Sequence, residues 1–263
     1  MKFFDKFQKF LGKNILRKKS VYFLSFNKCG TTLFNNYVLE DLVYHKKIDY
    51  LSLIYCDIKC NVEFNDYGNV YGIIKVGNKS GTLYEKVISV VLSEDFIKDK
   101  TVIFLVRDPR DILVSEYYSY GFTHGFSSNA DIRKFQESQR REIQNLSLDE
   151  YVLKNSLRMN DDFMKISNIL KKCKCGKILK YEDLINNHTQ FIDDLNRVLP
   201  MKTRAINRLY IESRPEDTED LTSHKRSGKV YGFVDKLSSD TIDKANKILA
   251  CTLDEFSYPI FPK

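Results

Sequence analysis

Two clusters of cationic and hydroxyl residues could bind anions such as phosphate or sulfate. The first, residues 27–32, reads Asn-Lys-Cys-Gly-Thr-Thr, and its lysine is Lys28. An ammonium group, hydroxyls and the unpaired backbone N–H groups at the start of a helix together suit such an anion. The second cluster contains Arg107, with Ser115 on the helix predicted after it. Because a guanidinium and a hydroxyl can hold a second phosphate, the residues predict two anion-binding positions.

Both clusters follow apolar runs that are typical of buried strands. Residues 21–26 read Val-Tyr-Phe-Leu-Ser-Phe and end at the first cluster, after which apolar residues recur with helical spacing from Leu33. Residues 101–106 read Thr-Val-Ile-Phe-Leu-Val and end at the second cluster. There Pro109 and its acidic neighbours indicate the start of a helix. Each cluster is therefore predicted in a loop between a strand and a helix.

The rest of the chain continues to alternate strand and helix patterns, which indicates a parallel sheet. Further strands are predicted over residues 50–56, 72–76 and 177–181. Helices are predicted over residues 31–45, 83–92, 131–172, 189–199, 203–212 and 238–250. A polar loop over residues 218–232 is predicted to be mobile and is a candidate lid.

Length and charge narrow the class of protein. The 263 residues suit one α/β domain over 1–263, since no linker or repeat divides them. The net charge of +7 suits a polyanionic ligand, but its lysines are scattered, so nucleic acid is not implied. No apolar run is long enough to span a bilayer and no signal peptide is evident, so a cytoplasmic enzyme is expected. The oligomeric state is not predicted.

The six cysteines lack the spacing of a metal site or a disulfide framework. The pairs Cys56 with Cys60 and Cys173 with Cys175 have no histidine or CxxC companions. Free thiols and no metal are therefore expected. Residues 1–18 form a basic amphipathic segment with Phe3, Phe7 and others at helical spacing. This segment could contact an anionic membrane, but packing of its aromatic face on the domain is favoured.

Four motifs, in order along the chain, resemble those of the sulfotransferases that use 3′-phosphoadenosine 5′-phosphosulfate (PAPS). Residues 27–32 resemble the P-K-S-G-T-T loop, and residues 107–115, Arg-Asp-Pro-Arg-Asp-Ile-Leu-Val-Ser, resemble the 3′-phosphate segment. Residues 181–184, Tyr-Glu-Asp-Leu, resemble the Y-E-D-L strand end, and residues 224–228 resemble the late R-x-G loop. Each motif is weak alone, but their order and predicted context make the resemblance specific.

This resemblance implies a three-layer α/β fold, P-loop-like, with a central parallel sheet flanked by helices and the nucleotide at the carboxyl ends of its strands. It implies that Lys28 contacts the phosphosulfate and that Arg107 and Ser115 hold the 3′-phosphate. Tyr181 would lie against the adenine. The complete implied nucleotide-binding set is Lys28, Cys29, Gly30, Thr31, Thr32, Arg107, Ser115, Tyr181, Arg226 and Gly228.

Two departures from the family pattern lie in or near this set. Cys29 replaces a serine, and its position beside Lys28 at a helix start predicts a lowered thiol pKa. Phe233 stands where the late loop often has tryptophan, and it keeps an aromatic face there.

The general base is left open. In the cytosolic branch a K-T-H segment supplies a catalytic histidine, but here the comparable strand is followed by Gly77, which cannot take a proton. The carbohydrate-modifying branch uses a glutamate soon after the first loop, so Glu40 is a candidate, with Glu63 and Asp66 behind it. His124, just beyond the Ser115 helix, is the other main candidate.

The sequence thus predicts transfer of a sulfuryl group from PAPS to a hydroxyl or an amine, with Lys28 as the electrophilic group. The acceptor is expected to be a small molecule or a glycan, such as a saccharide or glycolipid, although the aromatic residues could equally line a pocket for a phenolic or lipid alcohol. Two alternatives remain: a non-catalytic nucleotide-binding protein of the same fold, and a P-loop-like kinase. The kinase is disfavoured because residues 25–32 lack the G-x4-G-K pattern.

Overall fold

A computed structural model describes the parts of the chain that carry most of the predicted site. The described residues are 21–39, 49–50, 70–71, 73–76, 101–128, 130–198, 201, 203–215 and 228–261. The N-terminal segment 1–18, the helix predicted over 83–92 and the candidate residues Glu40 and Arg226 lie outside them. The same is true of residues 218–227 of the predicted lid.

Four parallel strands form the central sheet. The strands, in chain order, are β1 (Val21–Phe26), β2 (Asp49–Tyr50), β3 (Val70–Tyr71), β4 (Ile73–Val76), β5 (Thr101–Val106) and β6 (Cys175–Lys180). The central sheet has the order β4-β1-β5-β6, whereas β2 and β3 pair with each other in a separate two-stranded sheet. The chain therefore adds β4 on one side of β1 and then β5 and β6 on the other.

Helices make up most of the remaining described chain. They are α1 (Thr31–Phe34), α2 (Pro109–Tyr118), α3 (Ala130–Gln144), α4 (Leu148–Lys172), α5 (Tyr181–Asn186), α6 (His188–Asn196), α7 (Thr203–Ser213), α8 (Ser239–Ile248) and α9 (Ala250–Glu255). Two π-helical turns, Asn35–Leu39 and Ser119–Thr123, extend α1 and α2. The fold is the predicted three-layer α/β arrangement of a central parallel sheet with flanking helices.

Local sequence accounts for where several helices begin. The carboxylate of Asp108 accepts a hydrogen bond from the Arg110 backbone N–H at 2.9 Å, and Pro109 occupies the first turn of α2. At the start of α4, Ser147 and Glu150 form a reciprocal capping box. These caps satisfy backbone N–H groups that no preceding turn can pair.

The core lies between the sheet and its helices. Residues 102–106 of β5 are buried, as its continuous apolar sequence predicts for a central parallel strand. Phe26 at the end of β1 stacks on Phe163 of α4, with ring centroids 4.4 Å apart. Helix α4 also contacts α2, α8, α9 and β6. It is the long helix that joins the C-terminal part of the chain to the sheet.

Helix α5 and the split between α8 and α9 were not predicted. The sequence predicts that Tyr181 ends a strand, but it is the first residue of α5, because the chain turns from β6 directly into a helix. The sequence predicts one helix over residues 238–250. In the structure α8 ends at Ile248, and α9 begins after Leu249, at Ala250. No helix within the described ranges is long and apolar enough to cross a membrane.

Candidate nucleotide and sulfuryl-transfer site

Three neighbouring strands deliver the predicted anion-binding residues to one edge of the sheet. Ser25 of β1 is in register with Leu105 of β5, and Val106 of β5 is in register with Lys180 of β6. Because the strands are parallel, the residues that follow them emerge side by side at their carboxyl ends. Lys28, Arg107 and Tyr181 therefore come from three adjacent loops or helix starts.

The first loop packs directly on Tyr181. Gly30 has a φ of +79°, and a Cβ added there would lie 3.0 Å from two ring carbons of Tyr181. Its carbonyl accepts a hydrogen bond from the Phe34 N–H at 3.1 Å and so begins α1. Only glycine satisfies both the left-handed backbone and the close contact. Lys28 also has a positive φ, +70°, which is a strained conformation for a residue with a side chain.

The ammonium of Lys28 points toward the end of α2. Its Nζ donates a hydrogen bond to Ser119 Oγ at 2.5 Å and lies 5.3 Å from the centroid of the Tyr120 ring. Ser119 is buried and was not among the predicted site residues. Its position one helical turn beyond Ser115 is the only sequence signal that could have suggested it.

Arg107 joins the three loops. Its guanidinium lies 4.8 Å from the centroid of the Tyr181 ring, and Nη1 donates to the Lys28 carbonyl at 3.4 Å. Nη2 pairs with Asp111 at 3.2 Å and donates to the Lys229 carbonyl at 2.7 Å. Its Nε is buried and has no hydrogen-bond partner among the described residues. A half-buried guanidinium whose buried Nε–H has no partner among the described residues fits a site that receives an anion.

The end of the late loop and the residues just after it contact Tyr181 of α5 and Asp111 of α2. Gly228, with a φ of +67°, accepts a hydrogen bond at its carbonyl from the Tyr181 hydroxyl at 3.0 Å. The Asp111 carboxylate accepts from the backbone N–H groups of Tyr231 and Phe233 at 2.8 and 3.0 Å. The structure thus places Gly228 against the residues that follow β5 and β6, although more than forty positions separate it from Tyr181.

Asp108 and Phe233 belong to a structural cluster beside the site. Asp108 pairs with Arg110, which is fully buried, and not with Arg107. The Arg110 guanidinium lies 4.3 Å from the Phe233 ring centroid. Phe233 is fully buried, and its aromatic face therefore packs against a structural arginine.

The prediction of a lowered thiol pKa at Cys29 is wrong. Cys29 is fully buried, and burial raises its pKa well above the ordinary value, outweighing the opposing charge of Arg107. Proximity to a lysine in sequence did not decide the pKa, because the thiol points into the core. Its backbone N–H remains part of the predicted loop.

The remaining predicted ligands have different exposures. Thr31 is buried at the start of α1, Thr32 is exposed, and Ser115 is half-buried on α2. Ser115 is one turn from Ser119, so the two hydroxyls lie on the same side of α2 and its π-helical continuation.

His124 is related to Lys28 through a shared neighbour, Tyr120. Its ring packs edge-on against Tyr120 at a centroid distance of 5.7 Å, and Tyr120 in turn faces Lys28. Helix α3 holds this segment: Arg140 donates hydrogen bonds to the carbonyls of His124 and Tyr120, and Gln144 donates to the Gly121 carbonyl at 2.8 Å. Helix α3 therefore holds the backbone at His124, whose ring contacts the tyrosine that faces Lys28.

Two buried glutamates near the site were not predicted. Glu116 on α2 pairs with Arg158 at 3.0 Å, and burial raises its pKa, against the lowering effect of Arg158 and Lys28. Glu182 on α5 accepts a hydrogen bond from the Asp108 N–H at 2.8 Å, and burial raises its pKa to about 7. Neither carboxylate could be recognised from sequence, because acidic residues in a helix are usually exposed.

The described residues contain no group of three histidine, cysteine or acidic side chains that could hold a metal. Cys173, Cys175 and Cys251, together with Cys29, are free thiols in this part of the chain. The other predicted pair, Cys56 and Cys60, lies outside the described residues.

Comparison with known proteins identifies one family. The family model for the sulfotransferase domain matches residues 18–256. Among solved structures, retinol dehydratase in a complex with retinol and PAP is similar, with a TM-score of 0.45 and 16% sequence identity, over 92% of this chain and 83% of that one. No curated protein matches the chain.

Proposed function

This chain belongs to the sulfotransferase domain family, and from that premise we propose that it transfers a sulfuryl group from PAPS to a hydroxyl or, as a second choice, an amine. The observation that carries the proposal is the position of Arg107. Its guanidinium connects the lysine loop, Tyr181 and the late loop, and one buried N–H lacks a partner within the described residues. This arrangement supports a binding site for a phosphorylated nucleotide.

The proposed nucleotide site has two parts, one for the 3′-phosphate and one for the 5′-phosphosulfate. Arg107 and Ser115 would hold the 3′-phosphate together with Gly228 and with Arg226, which lies outside the described residues. Lys28 and the backbone of residues 29–32 would hold the 5′-phosphosulfate. Tyr181 would support the adenine, consistent with its fixed position beneath Gly30.

Transfer would occur by direct displacement at sulfur. An acceptor oxygen forms a bond to sulfur while the bond from sulfur to the bridging phosphate oxygen breaks, and adenosine 3′,5′-bisphosphate leaves. The acceptor proton passes to a base. Lys28 would stabilise the charge that develops on the leaving phosphate, so catalysis depends mainly on positioning and electrostatics.

His124 and Glu40 remain the proposed alternatives for the base. His124 is supported by its contact with Tyr120, whose ring also faces Lys28. Glu40 lies outside the described residues. Substituting each separately distinguishes them, because loss of a general base lowers turnover by about 10²–10⁴-fold and leaves nucleotide affinity intact. Unchanged turnover in both variants would exclude both assignments.

The proposed acceptor is a small molecule or a glycan, and a saccharide or glycolipid precursor is the first class to screen. A phenolic or lipid alcohol is the second, because Tyr117, Tyr118 and Phe122 form an aromatic group at the end of α2.

The proposed compartment is the cytoplasm, with no nucleic-acid partner. Contact of residues 1–18 with a membrane surface stays a proposal.

Isothermal titration with adenosine 3′,5′-bisphosphate, adenosine 5′-monophosphate and ATP tests the nucleotide site. The wild-type protein is expected to prefer the 3′-phosphorylated nucleotide, and Arg107→Ala should lose that preference. Arg197→Ala is the matched control, because Arg197 is an exposed arginine paired with Asp194. A preference for ATP would favour a kinase, and equal or absent binding of all three would exclude the proposal.

A sulfuryl-transfer assay with PAPS and the two acceptor classes completes the test. Sulfated product with either class would establish the enzyme and its acceptor. Tight binding of adenosine 3′,5′-bisphosphate with no transfer to any hydroxyl or amine would favour a non-catalytic nucleotide-binding protein.

A further inference from the structure

We propose that Glu182 is a positioning residue that sets the orientation of Arg107 toward the 3′-phosphate. This inference rests on the proposed function, because it assumes that Arg107 binds that phosphate. Glu182 itself would not touch the nucleotide. It acts on the backbone at the end of β5.

The key contact joins the ends of two neighbouring strands. Glu182 Oε1 accepts a hydrogen bond from the backbone N–H of Asp108 at 2.8 Å. That N–H belongs to the peptide bond that leaves Arg107, so the contact fixes the peptide plane next to the arginine. Glu182 follows Tyr181, whose ring packs against the Arg107 guanidinium. Adjacent residues of α5 therefore hold the backbone and the side chain of Arg107.

This hydrogen bond replaces one that the helix cannot make. Asp108 is the N-cap of α2, so its N–H has no partner within that helix. A water molecule could satisfy an exposed cap, but Asp108 is fully buried. Without Glu182 the N–H would be buried and unpaired, and the Arg107–Asp108 peptide could rotate to find another acceptor.

The surroundings of Glu182 argue against a role in stability alone. Its second oxygen, Oε2, is buried without a hydrogen-bond partner among the described residues, as is the hydroxyl of Tyr258. A half-satisfied buried carboxylate lowers the stability of the fold. Burial also raises its pKa to about 7, against the hydrogen bond from Asp108 and the charge of Arg107. Perturbed groups of this kind are concentrated at functional sites.

The test compares Glu182→Met, which keeps much of the volume but removes the acceptor, with Glu182→Gln, which keeps an acceptor oxygen. The measured quantity is the ratio of the Kd for adenosine 5′-monophosphate to the Kd for adenosine 3′,5′-bisphosphate. This ratio isolates the contribution of the 3′-phosphate. We expect Glu182→Met to lower it about tenfold and Glu182→Gln to keep it close to the wild-type value.

Thr252→Val is the matched control for lost stability. The buried Thr252 hydroxyl hydrogen-bonds to Asn160 on α4, so its removal should destabilise the protein without changing the ratio. Each variant is tested for folding by circular dichroism and urea unfolding. If Glu182→Met does not fold, Glu182→Gln still tests the inference, because a tenfold fall in its ratio would overturn a role that depends on the acceptor oxygen.

A double-mutant cycle then tests whether Glu182 acts through Arg107. In an Arg107→Ala background, Glu182→Met should no longer change the ratio. An unchanged ratio in Glu182→Met alone, or an equal loss in both backgrounds, would overturn the inference. Failure of the proposed function has a different signature, because the wild-type protein itself would then show no preference for the 3′-phosphate.

Discussion

At the scale of single residues, the two serines on α2 and its continuation separate the two halves of the proposed chemistry. Ser119 hydrogen-bonds to the Lys28 ammonium, whereas Ser115 belongs to the segment that resembles a 3′-phosphate site. They are one helical turn apart, so the same helix can serve the leaving phosphate and the distant phosphate. Helical spacing relates the two serines, but the contact of Ser119 with the lysine is a property of the folded chain.

Substituting each serine by alanine should therefore give different defects. Ser119→Ala removes the hydrogen bond from Lys28 to Ser119, and we expect the rate of sulfuryl transfer to change about three- to tenfold, with the nucleotide ratio unchanged. Ser115→Ala should lower that ratio by a similar factor. Steady-state kinetics and titration of both variants provide the comparison. Identical effects of the two substitutions would contradict the division of roles.

Glu182 also makes a prediction about pH. Its pKa rises from an ordinary 4.5 to about 7 on folding, so between these values the folded state binds more protons than the unfolded state. Stability must then fall as the pH rises through this window, by about 3 kcal/mol if the other groups are constant. Glu182→Gln has no proton to lose there and should lack this part of the fall.

Urea unfolding of both proteins at about pH 5 and about pH 8 measures this difference. Glu182→Gln is expected to gain stability relative to the wild-type protein at the higher pH. Parallel pH profiles for the two proteins would show that Glu182 is not the group responsible.

At the scale of elements, Arg110 fastens the start of α2 to the C-terminal part of the chain. Its guanidinium forms two hydrogen bonds to Asp108 and also donates to Asn246 of α8 and to the Pro259 carbonyl. Both members of the Arg110–Asp108 pair are fully buried. Arg107 directly precedes this helix start, so the cluster helps to fix the backbone next to Arg107.

Arg110→Met should therefore destabilise the protein by about 3–5 kcal/mol, because it leaves the Asp108 carboxylate buried without its partner. The control is Arg133→Ala, which removes an exposed pair with Glu137 on α3 and should cost less than about 0.5 kcal/mol. Urea unfolding gives both values. A loss below about 1 kcal/mol in Arg110→Met would show that Asp108 finds another partner or a proton.

At the scale of the whole molecule, the site connects parts of the chain that are far apart in sequence. Arg107 contacts the backbone at Lys28 and at Lys229, and α4 packs on both α2 and the C-terminal helices. A ligand at these contacts should stabilise the chain as one unit. The prediction that residues 1–263 form one domain means that these parts of the chain unfold together.

Adenosine 3′,5′-bisphosphate at about one hundred times its Kd should raise the free energy of unfolding by about 2.7 kcal/mol. If the chain is one cooperative domain, circular dichroism and intrinsic tyrosine fluorescence should report the same shifted transition. Arg107→Ala should need more nucleotide for the same shift. A second transition that the nucleotide does not move would show that the C-terminal helices unfold separately.

The sequence alone was sufficient for the fold class, the positions of β1 and β5, the starts of the helices after them, and the four motifs of the family. These features depend on local periodicity, capping residues and glycine, all of which lie within a few positions of each other. Tertiary structure decided that Asp108 pairs with Arg110, that Ser119 contacts Lys28, that Cys29 is buried and that Glu182 accepts a hydrogen bond from the Asp108 N–H. Such pairings depend on which side chains the sheet and helices bring together in the core, where burial and partner, not sequence spacing, determine charge and hydrogen bonding.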